Sequence, residues 1–338
     1  MNQRYSQVSE VPLSLGVFLA SDNYDYNDDP FTISTTTLIK PVRQYILGER
    51  VAKNQANPVA PALASMMPSR LGSAIHDAIE RAWLNNHQVA LEAMGIPKRV
   101  RDRVRVNPTK EYLALAEKEG IDIIPVYLEQ RSHKQVGKWT VSGKYDFVGD
   151  GYPEDFKTTG VYTFIMGNNT KKYQLQLSIY RWLNPEIITQ DVGKIQMIFT
   201  DWSAMQARQD PKYPQQRFHE LRIPLLSYAE TDMYINQRLN LIEGCMDLDE
   251  HLLPLCDDED LWRTEPKFKW YKNGDTTAKR STKNFDNLHD AQRHMHVEGN
   301  GMGAIKEVPG EVKACHYCPG FALCSQKDAL VAKGDLIL

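Results

Sequence analysis

The stretch "VSGKYDFVGDGYPEDFKTTG", residues 141–160, decides the predicted fold of the central region. Two strand-like runs flank a Gly-Asp-Gly turn, a pattern that predicts a β-hairpin. Side chains alternate between the two faces of a strand, so Asp155 and Lys157 point to one face and Phe156 points to the other. A surface ion pair on an edge strand is the ordinary explanation for this spacing. The surrounding residues decide whether a functional site explains it better.

The composition sets limits on the class of protein. The chain has 338 residues, 42% hydrophobic and 25% charged, which is enough for one large domain or two smaller ones with a buried core. The net charge of −3 excludes a uniformly basic nucleic-acid surface, so any DNA contact must be a local patch. The apolar run at residues 11–20 lacks the basic flank of a secretory signal, and no run is as long as a membrane span. With five cysteines, we expect reduced thiols and a cytoplasmic location.

The order of the predicted elements indicates an α/β fold. Residues 1–30, which include the acidic stretch "SDNYDYNDDP", predict a flexible N-terminal tail. Helices, a three-strand meander, a helix, two strands and a further helix follow, which predicts a mixed central sheet flanked by helices. We expect a core over residues 31–255 and a C-terminal segment over residues 256–338, within which residues 263–312 are polar and irregular.

A metal site is predicted where the hairpin brings Asp146 alongside Asp155. Two neighbouring carboxylates repel each other unless a cation lies between them, and hard oxygen ligands suit Mg²⁺ or Mn²⁺. His76, on a predicted helix four residues after Gly72, has an imidazole that would complete such a ligand set. A lone histidine on an amphipathic helix is more commonly a packing residue, so that explanation stays open.

Polar residues on the next predicted helix are candidates for the same site. Gln176 and Tyr180 are spaced i, i+4 and therefore point the same way, and Lys171 and Lys172 precede them. A core tyrosine and a solvent-exposed glutamine explain the pair equally well. Beside a metal, the Lys157 ammonium would help orient a water and offset phosphate charge, which points to hydrolysis of a phosphodiester.

Taken in order, these residues resemble the motifs of the RecB-like branch of the PD-(D/E)xK nuclease superfamily. That branch has a helical His after a Gly, a Gly-x-x-Asp strand, an Asp-x-Lys and a Gln-Leu-x-x-Tyr helix. The corresponding residues here lie within residues 72–180 and are Gly72 with His76, Gly143 with Asp146, Asp155 with Lys157, and Gln176 with Tyr180.

The resemblance implies a restriction-endonuclease-like core and a set of site residues. The implied catalytic residues are Asp146, Asp155, Lys157, Gln176 and Tyr180. Mg²⁺ or Mn²⁺ would be held by His76, Asp146, Asp155 and the backbone carbonyl of Phe156.

The implied activity is that of a metal-dependent DNA exonuclease of the stand-alone phage type. Its substrate would be linear single- or double-stranded DNA in phage or bacterial recombination or repair. A single-strand annealing or single-strand-binding protein is a further candidate partner, and the location would be the cytosol of a bacterium or phage-infected host. A structure-specific or endo-acting nuclease and an inactive DNA-binding scaffold are the alternatives. The intact acidic residues and Lys157 argue against the scaffold.

The densest basic stretch is "PKRVRDRVRVNPTK", residues 97–110. It is either a solvated face or a strip that contacts phosphates. The predicted DNA-binding residues are its four arginines and two lysines from the later helix, namely Arg99, Arg101, Arg103, Arg105, Lys171 and Lys172.

Three cysteines close together in "CHYCPGFALC", Cys315, Cys318 and Cys324, predict a metal site that needs a fourth ligand. Spacing alone favours structural zinc, for which His316 is a possible ligand. AddB-type and CRISPR-adaptation nucleases carry a similar triplet with a distant upstream cysteine, and the resemblance implies a [4Fe-4S] cluster that clasps the C-terminal segment. The upstream cysteine of those relatives precedes the nuclease motifs, whereas no cysteine here precedes Cys245. Cys256 is the predicted fourth ligand and Cys245 the alternative.

Overall fold

The computed structural model describes residues 4–22, 27, 29–53, 60–167 and 169–338. The chain forms two compact units. The first, which we call the sheet unit, comprises Met1–Ile39 and Asn57–Asn240, and the second, the cysteine unit, comprises Lys40–Ala56 and Leu241–Leu338. Residues 40–56, predicted to belong to the core, therefore group with the C-terminal residues.

The strands of the described residues are distributed over both units. In chain order they are β1 (Thr32–Ser34), β2 (Val104–Val106), β3 (Ile124–Leu128), β4 (Arg131–Val136), β5 (Trp139–Lys144), β6 (Phe147–Gly149), β7 (Tyr152–Thr159), β8 (Val192–Phe199), β9 (Phe218–Pro224), β10 (Lys267–Tyr271), β11 (Lys283–Phe285) and β12 (Ala304–Val308).

The α-helices precede, separate and follow groups of these strands along the chain. They are α1 (Leu13–Ala20), α2 (Thr35–Leu38), α3 (Val42–Lys53), α4 (Met67–Ala93), α5 (Lys98–Arg101), α6 (Lys110–Glu119), α7 (Val161–Met166), α8 (Thr170–Leu183), α9 (Ala204–Gln209), α10 (Tyr228–Cys245), α11 (Leu288–Val297) and α12 (Ser325–Lys333). Among the described residues, no helix has the length and apolar character needed to cross a membrane.

A six-stranded mixed sheet forms the centre of the sheet unit, in the order β2-β3-β6-β7-β8-β9. β2 pairs parallel with β3 and β7 pairs parallel with β8, while the other neighbours are antiparallel. Helix α4 contacts β7 from one face through His76 and Phe156, and α8 contacts it from the other through Gln176 and Asp155. The prediction of an α/β fold with a mixed sheet flanked by helices is confirmed.

The predicted hairpin is formed by β6 and β7, with Glu154 opposite Phe147. Asp150 and Gly151 in its turn have φ values of 51° and 80°. Positive φ at both central residues is the signature of a type I′ turn, whose twist matches that of the flanking strands. This turn aligns the start of β7 beside β6 and so places Asp155 in the centre of the sheet.

The strand predicted to lead into the hairpin is interrupted, and this interruption matters for the site. β5 belongs to a separate three-stranded sheet, β1-β5-β4, whereas β6 belongs to the central sheet. Gly143 permits the close packing of β5 here, because a Cβ at this position would lie 2.5 Å from Leu183 Cδ1 and 2.7 Å from Thr35 Oγ1. The chain then turns through Tyr145 and Asp146 into β6.

The N-terminal segment differs from the predicted flexible tail. Residues 13–20 form α1, and Leu19 is buried with Tyr5 and Leu63 in a small apolar cluster. Residues 1–3, 23–26 and 28 of the predicted tail lie outside the described residues. Leu19 anchors this helix, since it is buried whereas Leu13 and Val17 of the same apolar run are exposed.

Residues 263–312 also differ from the predicted irregular segment. β10 pairs antiparallel with both β11 and β12, and α11 packs on all three strands. Trp270 is buried, and Phe268 lies opposite Phe285 across the strand pair. Lys267 and Lys269 alternate with Phe268 and Trp270, which is a strand pattern, but this pattern is short and lies in a segment that is otherwise polar.

The close packing at Gly143 leads to the first prediction. Gly143→Ala should lower the free energy of unfolding by about 1–3 kcal/mol, because the added methyl group overlaps Leu183 and Thr35. Gly244→Ala is the matched control, since an added Cβ at that position of α10 meets no atom within 4 Å. Thermal unfolding followed by circular dichroism measures both variants. Equal stability of Gly143→Ala and wild type would contradict the tight approach.

Candidate active site

The candidate site lies at a corner where two neighbouring strands leave one sheet and enter another. β3 continues into β4 through Glu129 and Gln130, as β5 continues into β6 through Tyr145 and Asp146. The backbone N–H of Glu129 donates to the Asp146 carbonyl oxygen at 3.0 Å, and that of Tyr145 donates to the Gln130 carbonyl oxygen at 3.3 Å. The paired strands therefore bend together, which sets the Glu129 and Asp146 side chains at one point.

Glu129 has a backbone conformation that most side chains avoid. Its φ is 51°, in the left-handed region, which costs on the order of 1–2 kcal/mol for a residue other than glycine. Lys144 Nζ lies 2.6 Å from Glu129 Oε2 and holds the carboxylate in place. Backbone strain of this kind clusters at functional sites.

Helix α4 supplies the imidazole. The residues Gly72, His76 and Ile79 recur at helical spacing and are partly buried, so they share the face that packs on the sheet. A Cβ at Gly72 would lie 3.3 Å from Thr158 Oγ1, which shows how closely α4 approaches β7. His76 Nδ1 lies 3.4 Å from Asp146 Oδ2 and 3.9 Å from Glu129 Oε1.

The pKa values of His76 and Glu129 are shifted by the negative charge around them. Burial lowers the pKa of His76, but the hydrogen bond and charge of Asp146 outweigh it and the pKa rises to about 9. Burial raises the pKa of the Glu129 carboxyl, and repulsion by Asp146 adds to the rise while Lys144 opposes it. A cation at this point would relieve the repulsion between the two carboxylates.

The backbone of Phe156 joins the site to β7. Its N–H donates to Asp146 Oδ2 at 3.0 Å, and its carbonyl oxygen lies 2.9 Å from His76 Nε2. The Phe156 ring packs against His76 and Phe147 on the α4 face of the sheet. Three of the four predicted metal-binding groups, His76, Asp146 and the Phe156 carbonyl, are thus brought together.

His76, Glu129 and Asp146 together suit a hard divalent cation. One ligand atom from each lies within 4.8 Å of the others. Two carboxylates and an imidazole are ligands that Mn²⁺ accepts, and carboxylate oxygens suit Mg²⁺. Sequence reasoning missed Glu129 because its position opposite Asp146 depends on how β3 and β4 pair with β6 and β5. The sequence signal was limited to an acidic residue directly after the apolar strand "IIPVYL".

Asp155 lies beside this group but faces α8. It is buried, with an exposed fraction of 1%, and its Oδ1 accepts from Gln176 Nε2 at 2.8 Å. Its Oδ2 receives no hydrogen bond of ordinary geometry among the described residues, yet Lys157 Nζ lies 2.5 Å away as an ion-pair partner. Burial raises the pKa of Asp155 well above its usual range, Lys157 opposes the rise and Asp146 adds to it.

Lys157, Gln176 and Tyr180 form one connected group with Asp155. Burial lowers the pKa of Lys157, but attraction to Asp155 outweighs it, so the pKa is raised and the side chain is an ammonium. Gln176 Nε2 also contacts the Tyr180 hydroxyl at 2.9 Å, and both residues are buried. Burial raises the pKa of Tyr180 well above its usual value, so the phenol keeps its proton. The structure therefore brings all five predicted catalytic residues into one region.

The predicted DNA-binding strip is largely engaged within the sheet unit. Arg101 pairs with Glu92 at 3.0 Å, and Arg103 pairs with Asp122 at 2.7 Å. Arg105 donates to the Tyr112 hydroxyl and to backbone carbonyls. Glu92 is sixteen residues beyond His76 on α4, or about 24 Å along the helix.

The remaining predicted DNA contacts differ in their exposure. Arg99 is exposed on α5, Lys171 is exposed at the start of α8, and Lys172 is partly buried. The guanidinium groups of the other strip arginines are therefore committed to partners, whereas Arg99 and Lys171 offer charge at the surface.

The C-terminal cysteines interact with one another within the cysteine unit. Burial raises the pKa of the Cys256 thiol to about 12, with further increases from Asp260, Cys318 and Cys324. Burial likewise raises the pKa of Cys315, and Cys318 and Cys324 add to it. Among the described residues, no three of these sulfurs lie within 4.8 Å of one another. Cys245 is buried on α10.

A buried arginine, Arg43 of α3, lies against this group. Its Nε donates to Cys324 Sγ at 3.3 Å, and its other nitrogens donate to the Glu250 and Leu253 carbonyl oxygens and to Ser325 Oγ. The guanidinium also forms an ion pair with the Glu250 carboxylate. Burial raises the pKa of the Cys318 thiol, as it does that of Cys256, and the charge of Arg43 opposes both rises.

Comparisons with known proteins leave the site to be argued from its own geometry. No family model and no curated protein matches this chain. A solved structure described as "Crystal structure of SSO0001" is similar over 64% of this chain and 79% of that chain, at 16% identity and a TM-score of 0.35. A TM-score this low supports no statement about function.

The second prediction concerns Glu129 as a metal ligand. Glu129→Gln should weaken Mn²⁺ binding by roughly 10- to 100-fold, because the amide keeps the shape but removes the charge. Glu92→Gln, on α4 and paired with Arg101, is the control and should leave Mn²⁺ affinity unchanged. Isothermal titration of the purified protein with MnCl₂ measures the affinity. Identical affinity of Glu129→Gln and wild type would remove Glu129 from the ligand set.

The third prediction concerns Arg43. Arg43→Leu should destabilise the protein by about 3 kcal/mol, because it removes a buried cation that satisfies several acceptors. Lys53→Leu, an exposed change on the same helix, should alter the stability by less than about 0.5 kcal/mol. Urea unfolding measures both variants, and similar midpoints would contradict the structural importance of Arg43.

Proposed function

We propose that this chain is a divalent-metal-dependent DNA nuclease with a PD-(D/E)xK restriction-endonuclease-like core, and that it acts as an exonuclease. The observation that carries the proposal is the meeting of His76, Glu129 and Asp146 with the ion pair between buried Asp155 and partly exposed Lys157 at one strand. The order of these residues in the chain matches the RecB-like motifs, and Glu129 is added to them.

A divalent cation, Mg²⁺ or Mn²⁺, would be held by His76, Glu129 and Asp146, with Asp155 and the Phe156 carbonyl beside them. Such an ion supplies Lewis-acid polarisation of a phosphoryl oxygen. Phe156 fixes the relative positions of Asp146 and His76, because its N–H and carbonyl oxygen contact both. The ligands are thereby held ready before a substrate arrives, which lowers the cost of reorganisation during reaction.

Lys157 carries the charge-compensating role. Its ammonium is held by Asp155 and has an exposed fraction of 30%, so it is tied down yet open to solvent on one side. From there it can offset the negative charge that builds on a phosphate during attack by water, and it can orient that water. Gln176 and Tyr180 keep Asp155 in position through a buried hydrogen-bond chain, which fixes Lys157 in turn.

An inactive scaffold is less well supported than an enzyme. A buried ion pair such as Asp155–Lys157 is seldom the most stabilising choice, since apolar residues of similar volume often stabilise a fold as well or better. The left-handed Glu129 adds a further cost. A scaffold would have no use for either feature, whereas a hydrolytic site uses both. The structure-specific or endo-acting nuclease fits the same residues and remains the second candidate.

The cysteine unit is proposed to hold a [4Fe-4S] cluster on Cys256, Cys315, Cys318 and Cys324, which clasps the C-terminal segment; zinc is the alternative. Their mutual electrostatic interaction and the Arg43–Cys324 hydrogen bond support this set. The cluster would supply a cross-link between distant parts of the chain. A cytosolic setting, with reduced thiols and a single-strand annealing or single-strand-binding protein as partner, is part of the same proposal.

Incubation of the protein with linear and with covalently closed circular DNA, in Mg²⁺ or Mn²⁺, tests the function. An exonuclease needs an end, so the linear DNA should be degraded and the circle should survive. Cleavage of the circle would favour the endo-acting candidate. Survival of both substrates with either ion would contradict nuclease activity.

The fourth prediction separates the two faces of β7. Asp155→Asn should reduce cleavage by at least about 1,000-fold, because it removes the charge that holds Lys157 in place. Glu154→Gln is the matched control, since Glu154 is the preceding residue but pairs with Lys194 on the opposite face. Initial rates on end-labelled linear DNA measure the effect. Cleavage by Asp155→Asn at more than a few per cent of the wild-type rate would contradict the assigned role.

The fifth prediction concerns the cluster. Protein purified without oxygen should be brown and contain iron and sulfide, and Cys324→Ala should lose both the colour and much of the solubility. Cys245→Ala, the control, should keep the colour. A colourless protein that contains stoichiometric zinc would show that the site holds zinc and not an iron–sulfur cluster. A metal-free protein of equal stability would contradict both the cluster and the zinc site.

A further inference from the structure

A concentration of positive charge lies outside the candidate active site, on strands β10 and β11 and the loop that joins them. We call this segment, residues 267–285, the basic hairpin. It carries six cationic residues and one acid: Lys267, Lys269, Lys272, Lys279, Arg280 and Lys283 against Asp275. The whole chain has a net charge of −3, so this concentration of positive charge is local. Both the hairpin and the rest of its small sheet belong to the cysteine unit.

Aromatic packing fixes the hairpin in place. Trp270 packs edge-on against His294 of α11 at 4.9 Å between ring centroids, and Phe285 packs against the same ring at 5.1 Å. Side chains alternate along β10, so Lys269 points to the face away from α11. The strand residues Lys269 and Lys283 therefore sit on a packed support, which spares them part of the ordering cost of binding, while Lys272, Lys279 and Arg280 lie in the loop.

Two lysines on this small sheet repel each other, which lowers the stability of the strand pair in the free protein. Lys269 lies directly opposite Lys306 in the register of β10 with β12. Like charges directly opposite each other destabilise a strand pair. An anion bound between them would turn this repulsion into attraction.

Most cations of the hairpin lack an intramolecular counter-charge. Lys267 pairs with Asp286, but Lys269, Lys272, Lys279, Arg280 and Lys283 form no ion pair within the described part of the chain. Lys272, Lys279, Arg280 and Lys283 are exposed. The strip at residues 97–110 shows the opposite arrangement, since Lys98, Arg101 and Arg103 are paired with acids.

We propose that the basic hairpin binds the phosphate backbone of DNA and is a second DNA contact of the protein, outside the candidate active site. The inference rests on the proposed function for the identity of the polyanion. Lysine and arginine side chains on an open surface contact phosphates without reading bases, so the contact is independent of sequence. It would hold a DNA substrate on the protein between cleavage events.

The salt dependence of binding tests the proposal directly. Each phosphate contact contributes about 0.9 to the slope of log K against log salt concentration on duplex DNA. Replacing Lys272, Lys279, Arg280 and Lys283 together by Gln should therefore reduce the slope by about 3 to 4. We would measure fluorescence anisotropy of a labelled duplex with full-length protein from 50 to 200 mM KCl, without Mg²⁺ or Mn²⁺, so that binding is recorded without cleavage.

A matched control keeps the same change in total charge. Replacing the exposed residues Lys53, Lys118, Lys212 and Lys333 by Gln should leave the slope unchanged. A duplex with an uncharged methylphosphonate backbone should lose the contribution of the hairpin. Free inorganic polyphosphate is the alternative ligand. In that case polyphosphate would bind the wild-type hairpin, and the salt dependence of DNA binding would be equal in the hairpin variant and the wild type.

An unchanged DNA slope in the hairpin variant would overturn the proposal, whether or not the protein cleaves DNA. The two failures are distinguishable. If the protein binds DNA through the hairpin but does not cleave it, the proposed nuclease activity is contradicted and the DNA contact stands. If the protein cleaves DNA but the hairpin variant has the wild-type salt dependence, the DNA contact alone is contradicted.

Discussion

The bend shared by two strands at Glu129 and Asp146 is the constraint on which the rest of the site depends. Leu128 lies opposite Phe147 and Arg131 opposite Lys144, so one antiparallel register runs through the corner and places Glu129 beside Asp146. The packing of Gly143 against Leu183 and Thr35 holds β5 close to its neighbours just before the bend. The backbone hydrogen bond from Glu129 to Asp146 then keeps the two residues side by side. His76 and Lys144 balance the resulting negative charge, and β7 passes this point with Asp155 and Lys157 already oriented toward α8.

Both units bury charge in a way that stability alone does not explain. In the sheet unit, the Asp155–Lys157 pair is linked to Gln176 and Tyr180, and in the cysteine unit Arg43 contacts a thiol, a carboxylate and backbone carbonyls. Desolvating such groups costs several kcal/mol per ion before their attraction offsets it. The roles proposed for these groups, beside a phosphate in one unit and beside sulfur ligands in the other, would use such positioned charge.

The sequence predicted features that depend on local pattern and missed those that depend on distant contacts. The β6–β7 hairpin, the shared face of Asp155 and Lys157, and the helix bearing Gln176 followed from periodicity and turn residues. Glu129 could not be found, because its place beside Asp146 depends on the pairing of strands that are separated along the chain. The arginine strip was predicted to be a free surface because its partners, Glu92 and Asp122, come close to Arg101 and Arg103 only when the chain folds. The alternation of lysine and aromatic residues in β10 is a local strand pattern, but it is short and lies in a polar segment, so it was missed.

The central claim is that His76, Glu129 and Asp146 hold a divalent cation beside Asp155. Anomalous diffraction at the manganese absorption edge, from crystals soaked in MnCl₂, tests it most directly. A single strong anomalous peak among the side chains of His76, Glu129 and Asp146, which disappears in crystals of Glu129→Gln, is the predicted result. The absence of a peak there at saturating Mn²⁺, with ordered side chains in the same map, would contradict it.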